Sequence, residues 1–149
     1  VHTQRFPEDR VVLSYTNRLW APRFTGRDVG RVIVADPDET LFAMVRQLTA
    51  PDLWQVEQAG TGEELRRMLR GGAVRLALVN LAMLDECAEL GEELSDRSRR
   101  GLRLVVTTDQ HSESNERRSR MIGPAFYAPK PVSVDLLASV LEEALGATA

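Results

Sequence analysis

Three polar residues each close a run of apolar ones, and with one lysine they define the chemistry open to this chain. Asp36 follows Val32-Ile33-Val34-Ala35, Asn80 follows Leu76-Ala77-Leu78-Val79, and Thr107 ends Leu102-Arg103-Leu104-Val105-Val106. Lys130 stands between Pro129 and Pro131 and is the sole lysine of a chain with 19 lysine and arginine residues together. A carboxylate, an amide, a hydroxyl and an ammonium group are all able to bond a phosphate or one another, but phosphoryl transfer to protein also needs a carboxylate nucleophile and magnesium. An amide at position 80 cannot accept a phosphoryl group as an acyl phosphate. Proline holds the residue before it extended, which fixes both Ala128 and Lys130. Where a fold brings them together, the Lys130 ammonium can bond Asp36 and the Asn80 amide oxygen, bridging them without phosphate. Magnesium favours octahedral oxygen ligands, commonly one or two carboxylates with waters and phosphate, so Asp36 is the one candidate metal ligand, with Asp38 as a stray second.

Other chemistries fail on their spacing. Ala35-Asp36-Pro37-Asp38-Glu39 would repel a phosphate rather than cradle it, so no nucleotide or flavin cofactor is expected. His2, His111 and Cys87 lack the spacing of metal ligands. Serine, histidine and aspartate all occur, but without a nucleophile motif such as G-x-S-x-G, so no catalytic residues are assigned. Arg97-Ser98-Arg99-Arg100 and Arg117-Arg118-Ser119-Arg120 read as solvated faces.

With 149 residues, 43% of them hydrophobic, the chain can bury one core. A formal charge of −3 argues against a generic nucleic-acid surface. No apolar run reaches membrane-spanning length, the first residues lack a signal-peptide core, and a single cysteine fits a reducing cytosol. A cytoplasmic location is therefore expected. Residues 1–30 differ from the rest: Arg5, Arg10, Arg18, Arg23 and Arg27 outnumber Glu8, Asp9 and Asp28. Val11–Thr16 there has strand-like composition. The division is an N-terminal extension, 1–30, and a main domain, 31–149.

From Arg31 onward, strand and helix patterns alternate. Val32–Ala35 is a short apolar run suited to a parallel strand buried on both faces. Asp36 at the N-cap, Pro37 at N1 and Glu39 at N3 suggest a helix start, and Leu41, Met44, Val45 and Leu48 make its apolar stripe. Trp54–Glu57 is a second strand, and Thr61-Gly62-Glu63-Glu64 is a capping box before Leu65, Met68 and Leu69. Arg75–Asn80 is a third strand, with a helix expected from about Glu86 to Ser95 carrying Cys87, Leu90 and Leu94. Leu102–Thr107 and Ala125–Ala128 complete the strands. Ser112–Met121 lacks an apolar stripe and leans on Glu113–Arg117 and Glu116–Arg120 pairs. Ser133 caps a last helix with Leu136, Leu137, Val140, Leu141 and Leu145. Five βα units with short loops make a doubly wound five-stranded parallel sheet of the α/β class.

Residues 31–146 resemble the receiver domain of two-component response regulators, a flavodoxin-like (βα)5 fold. The family places an acidic pair after strand 1, a phosphorylated aspartate ending strand 3, a hydroxyl ending strand 4, an aromatic on strand 5 and a Lys-Pro after it. Here the acidic pair reads Ala35-Asp36, the acceptor loop reads Val79-Asn80-Leu81-Ala82-Met83, Thr107 is the hydroxyl, and Tyr127 is the switch aromatic before Lys130-Pro131. Gly123, Tyr127 and Lys130 also keep the family's mutual spacing. The resemblance implies a cis Lys130–Pro131 bond. It also implies an atypical member, a pseudo-receiver, with both the acceptor and one acidic ligand replaced.

The expected function is a non-enzymatic binding module that regulates signal transduction or transcription by contact with another protein, without phosphorylation. The alternatives are a phospho-relay receiver using Asp36, Asp38 or Asp85 as acceptor, and a small-ligand sensor. The resemblance points to the helix 4, strand 5, helix 5 face for a protein partner or homodimer, with Arg117, Arg118 and Arg120 opposite Asp135, Glu142 and Glu143. No direct binding to nucleic acid or membrane is expected. The Val11–Thr16 segment is a second contact candidate, as a strand added to a sheet edge.

Overall fold

The computed structural model describes residues 30–124 and 126–146. The extension at 1–29, with its candidate strand Val11–Thr16, lies outside them. Five strands, β1 (Gly30–Ala35), β2 (Trp54–Ala59), β3 (Val74–Asn80), β4 (Arg103–Thr108) and β5 (Phe126–Pro129), form one parallel sheet in the order β2-β1-β3-β4-β5. Between and after them run α1 (Glu39–Leu48), α2 (Gly62–Leu69), α3 (Leu90–Arg99), α4 (Glu113–Ile122) and α5 (Val134–Leu141). Parallel neighbours require crossovers, and these helices supply them on both faces.

Strand alternation explains the two cores. Val32, Val34, Leu76, Leu78 and Val105 point to one face, where Leu41, Val45 and Leu48 of α1 and Leu137, Val140 and Leu141 of α5 cover them. Ile33, Ala35, Ala77, Val79, Leu104 and Val106 point to the other, under Leu65 and Leu69 of α2, Leu90 and Leu94 of α3 and Ile122 of α4. Each fully buried aliphatic side chain contributes roughly 1.5–3 kcal/mol relative to exposure. The central strands are therefore apolar over Val32–Ala35, Leu76–Val79 and Leu104–Val106, with arginines toward their amino ends and Asp36, Asn80 and Thr107 at their carboxyl ends. β5 is a short edge strand that stops at Pro129, which blunts further pairing.

Local signals set the boundaries, with corrections. Asp38, not Asp36, caps α1, accepting from Thr40 N at 3.1 Å. Asp36 lies two residues earlier and its Oδ1 accepts from Asp38 N at 2.9 Å. Thr61 caps α2 by accepting from Glu64 N, while the Glu64 carboxylate accepts from Gly60 N at 2.6 Å. Thus the box closes on the residue before the cap. The helix expected from Glu86 starts instead at Leu90: Leu81–Asp85 forms a 3-10 turn, and Cys87 lies between the two elements. Asn80 starts that turn, since its Oδ1 accepts from Ala82 N at 2.9 Å. The π-helical turn Glu142–Gly146 extends α5.

α4 is held as its sequence suggested, with little apolar contact. It buries only Ser119 and Ile122, is capped by Ser112 on Asn115 N, and ends at Gly123 in the left-handed region (φ 84). Neither expected i,i+4 pair is among the ion pairs of the described residues. Arg118 instead reaches Asp85 at 2.7 Å, linking α4 to the 3-10 turn.

Candidate functional site

The sheet order reverses between β1 and β3, the point where open α/β sheets leave a crevice at their carboxyl ends. Asp36 directly follows β1, and Asn80 ends β3. Thr107, on β4, lies in register with Asn80, and β5 delivers Lys130 beside them. All four sequence-selected residues thus converge. Ala35 does not take part: it is fully buried in the apolar layer beneath α2 and α3.

Asp36 is the centre of the arrangement and is 1% exposed. Lys130 Nζ donates to its Oδ2 at 2.5 Å, and Asn80 Nδ2 donates to the same oxygen at 3.3 Å. With Asp38 N on Oδ1, both carboxylate oxygens are engaged. The Asn80 orientation is fixed by its own partners, because Oδ1 accepts from Ala82 N while Nδ2 faces a carboxylate. The helix-cap reading of Asp36 is thereby replaced by a buried ion pair.

Lys130 departs from expectation in its second contact. The Asn80 oxygen is taken by a backbone N–H, and the ammonium instead reaches Asp109 Oδ1 at 3.2 Å. Partial burial pulls the lysine pKa down, but the hydrogen bonds and charges of Asp36 and Asp109 outweigh it and hold the ammonium above its ordinary value. The Lys130–Pro131 peptide is cis.

Asp109 opens the β4–α4 loop, which is fastened by three more polar contacts. Thr108 Oγ1 donates to Gln110 O at 2.8 Å, Asn115 Nδ2 donates to the same carbonyl at 2.8 Å, and His111 Nδ1 lies 3.0 Å from Tyr127 Oη. Tyr127 is half-buried, so the aromatic both packs and ties the loop. Sequence reasoning missed Asp109, Asn115 and the His111 contact, because each bond depends on where the loop returns. The Thr107 hydroxyl is fully buried with no hydrogen-bond partner.

Magnesium, which the resemblance implies, does not fit this donor set. Ala35 offers no ligand, Asn80 turns an N–H toward Asp36, and both Asp36 oxygens are already engaged, Oδ2 by Lys130 and Asn80 and Oδ1 by Asp38 N. Among the described residues no group of three histidine, cysteine, aspartate or glutamate side chains could hold a metal ion. On the candidate contact face, Arg117, Arg120 and Asp135 are exposed, Glu142 is half-buried, and Arg118 is committed to Asp85. No helix of the described residues is long and apolar enough to cross a membrane.

These features define a doubly wound, five-stranded parallel sheet with a polar cluster at the carboxyl ends of its strands. Solved structures agree on the fold. The chain is similar to a CheY-like response regulator receiver domain protein from Methanospirillum hungatei JF-1, at 26% identity and a TM-score of 0.62, over 77% of this chain and 93% of that one. It is also similar to a response regulator from Thermotoga maritima (20%, TM-score 0.66, 78% and 98% covered). A third is the non-phosphorylated HemR receiver domain from Leptospira biflexa (24%, TM-score 0.64, 77% and 93% covered). No protein-family model matches the chain, and no curated protein matches it.

Proposed function

We propose that this chain is a pseudo-receiver: a non-enzymatic signalling module that acts by contact with a protein partner and does not use aspartyl phosphorylation. The observation that carries this reading is the hydrogen bond from Asn80 Nδ2 to Asp36 Oδ2. Two carboxylates at that separation repel and need a cation between them. An amide donor removes the repulsion, so the pocket is satisfied by its own side chains. Lys130 then joins the end of β1 to the β4–α4 loop through Asp36 and Asp109. The likeness to receiver domains supports signal transduction as the setting, and the exposed arginines of α4 support its outer face as the contact surface.

The rival reading, phosphate on another acid, meets an obstacle at each candidate. Asp36 is buried with both oxygens engaged. Asp38 accepts the backbone N–H and then the hydroxyl of Thr40, which hold its carboxyl below the usual range. Asp85 is paired with Arg118. A test is the amide spectrum of the full chain with beryllofluoride and magnesium, a mimic that needs a carboxylate acceptor. Unchanged signals at Asn80, Thr107 and Lys130 are expected; a saturable shift of those three would overturn the proposal.

A further inference from the structure

A cleft of about 370 Å³ opens between α1 and the loop that joins β5 to α5, beside Lys130 but outside the Asp36–Asn80 contact. Leu41, Met44, Pro131 and Val132 give it apolar walls, and the exposed carboxylates Asp38 and Asp109 line it as well. Lys130 also lines it, but its charge is committed to Asp36 and Asp109. Val134 and Leu136, on the first turn of α5, are 43% and 44% exposed, so apolar surface continues along the chain from the cleft. An apolar slot with an acidic margin selects an apolar or aromatic side chain flanked by cations.

The chain carries such a segment. Arg18-Leu19-Trp20-Ala21-Pro22-Arg23-Phe24 sets two aromatic rings among arginines within the net-basic residues 1–29. Length allows the encounter. Gly30 starts β1 at the amino end of the sheet, and the cleft lies at the carboxyl end, so the six residues of β1 separate them by about 20 Å. Trp20 precedes Gly30 by ten residues, which extend to about 35 Å. Phe24 precedes it by six, about 20 Å, which leaves nothing for the path around the sheet. Trp20 is therefore the ring that reaches.

We infer that the Arg18–Phe24 segment of the same chain docks in this cleft, with Trp20 against Met44 and Val132 and with Arg18 and Arg23 toward Asp38 and Asp109. A tryptophan buries roughly 150–250 Å² and supplies most of the contact, while the exposed charges set register. Tethering keeps the segment at high effective concentration, so modest contacts suffice. This docking requires nothing of Asn80, and it would cover the α1 side of the Lys130 loop while leaving α4 open.

The test uses the full chain with carbon-13 methyl-labelled methionine. The four methionines give one reporter and three controls, since Met68, Met83 and Met121 do not line the cleft. The expected result is a nuclear Overhauser contact from the Met44 methyl to the Trp20 indole. It should be lost in Trp20→Ala, retained with an altered shift in Trp20→Phe, and weakened in Arg18→Glu/Arg23→Glu, with the other three methyl signals unmoved. A Met44 signal indifferent to Trp20→Ala overturns the inference, leaving the cleft to a separate partner. So does a contact that appears only between differently labelled copies, which would assign the cleft to a second chain.

Discussion

At position 80 one atom decides the character of the pocket: an amide nitrogen donates where a carboxylate oxygen would repel. Asn80→Asp places a second carboxylate within about 3 Å of Asp36 Oδ2. It should cost about 1–3 kcal/mol at pH 7, from the lost hydrogen bond and the new like-charge pair. The neighbouring charge raises the folded-state pKa of the introduced acid, so the penalty persists above that value and fades as pH falls through it. Urea midpoints of variant and parent at neutral and mildly acidic pH should therefore converge. Lys130→Met should cost more, on the order of 3 kcal/mol, because it leaves the Asp36 charge buried and uncompensated. The folded state holds the Lys130 pKa above its ordinary value. Its contribution is thus complete below about pH 10, near the unfolded lysine value, and is lost as pH rises through the folded one. The stability gap between parent and Lys130→Met should narrow between mildly and strongly alkaline buffer. The convergence of Asp36, Asn80, Thr107 and Lys130 was legible in the sequence, because the first three end strand-like runs and Lys130 stands between two prolines just after the last strand. Their hydrogen-bond partners were not. Nothing in residue order says that the Asn80 oxygen turns to Ala82 N and leaves the lysine to Asp109.

The β4–α4 loop is the element on which the pocket acts. Lys130 fastens it at Asp109, Thr108 and Asn115 at Gln110, and Tyr127 at His111, while α4 itself adds little apolar burial. Asp109 is 69% exposed, so its pair with Lys130 should matter little to global stability and more to local order. Asp109→Ala is expected to change the unfolding free energy by less than about 1 kcal/mol. It should speed amide exchange across the loop and first turn of α4 by roughly tenfold, the effect of losing about 1.4 kcal/mol of local protection. Exchange unchanged there would show that the other three ties suffice. Helix starts were readable where a hydroxyl caps them, as at Thr61, Ser112 and Ser133, whereas the carboxylate cap of α1 was placed at Asp36 instead of Asp38. The α3 start was misread because Glu89 makes no side-chain cap, and because Asn80 draws the preceding residues into a 3-10 turn. Caps are local and visible in sequence; a turn nucleated by a pocket residue is not.

For the whole molecule, the two apolar layers follow from strand alternation and the parallel sheet from the alternating βα pattern, which is why the fold class could be read before its loops. The contact surface is a property of the assembled chain. Arg117 and Arg120 are exposed on α4, and Asp135 is exposed on α5, which covers the opposite face of the sheet. Arg118 was expected to belong to the same surface, but it already holds Asp85. Charge reversal at Arg117 and Arg120 should therefore weaken partner capture or self-association more than reversal at Arg118. Sedimentation and capture at low and moderate salt provide the check, and a smaller effect at moderate salt is expected because rim charges are screened. The central claim, signalling without aspartyl phosphate, is tested most directly by incubating the full chain with acetyl phosphate and magnesium and measuring its intact mass, with Asn80→Asp alongside. The expected result is no phosphate adduct on the parent chain and at most trace labelling of Asn80→Asp, whose metal site still lacks a carboxylate at Ala35. A hydroxylamine-sensitive phosphate on Asp36, Asp38, Asp85 or Asp109 of the parent chain would contradict it.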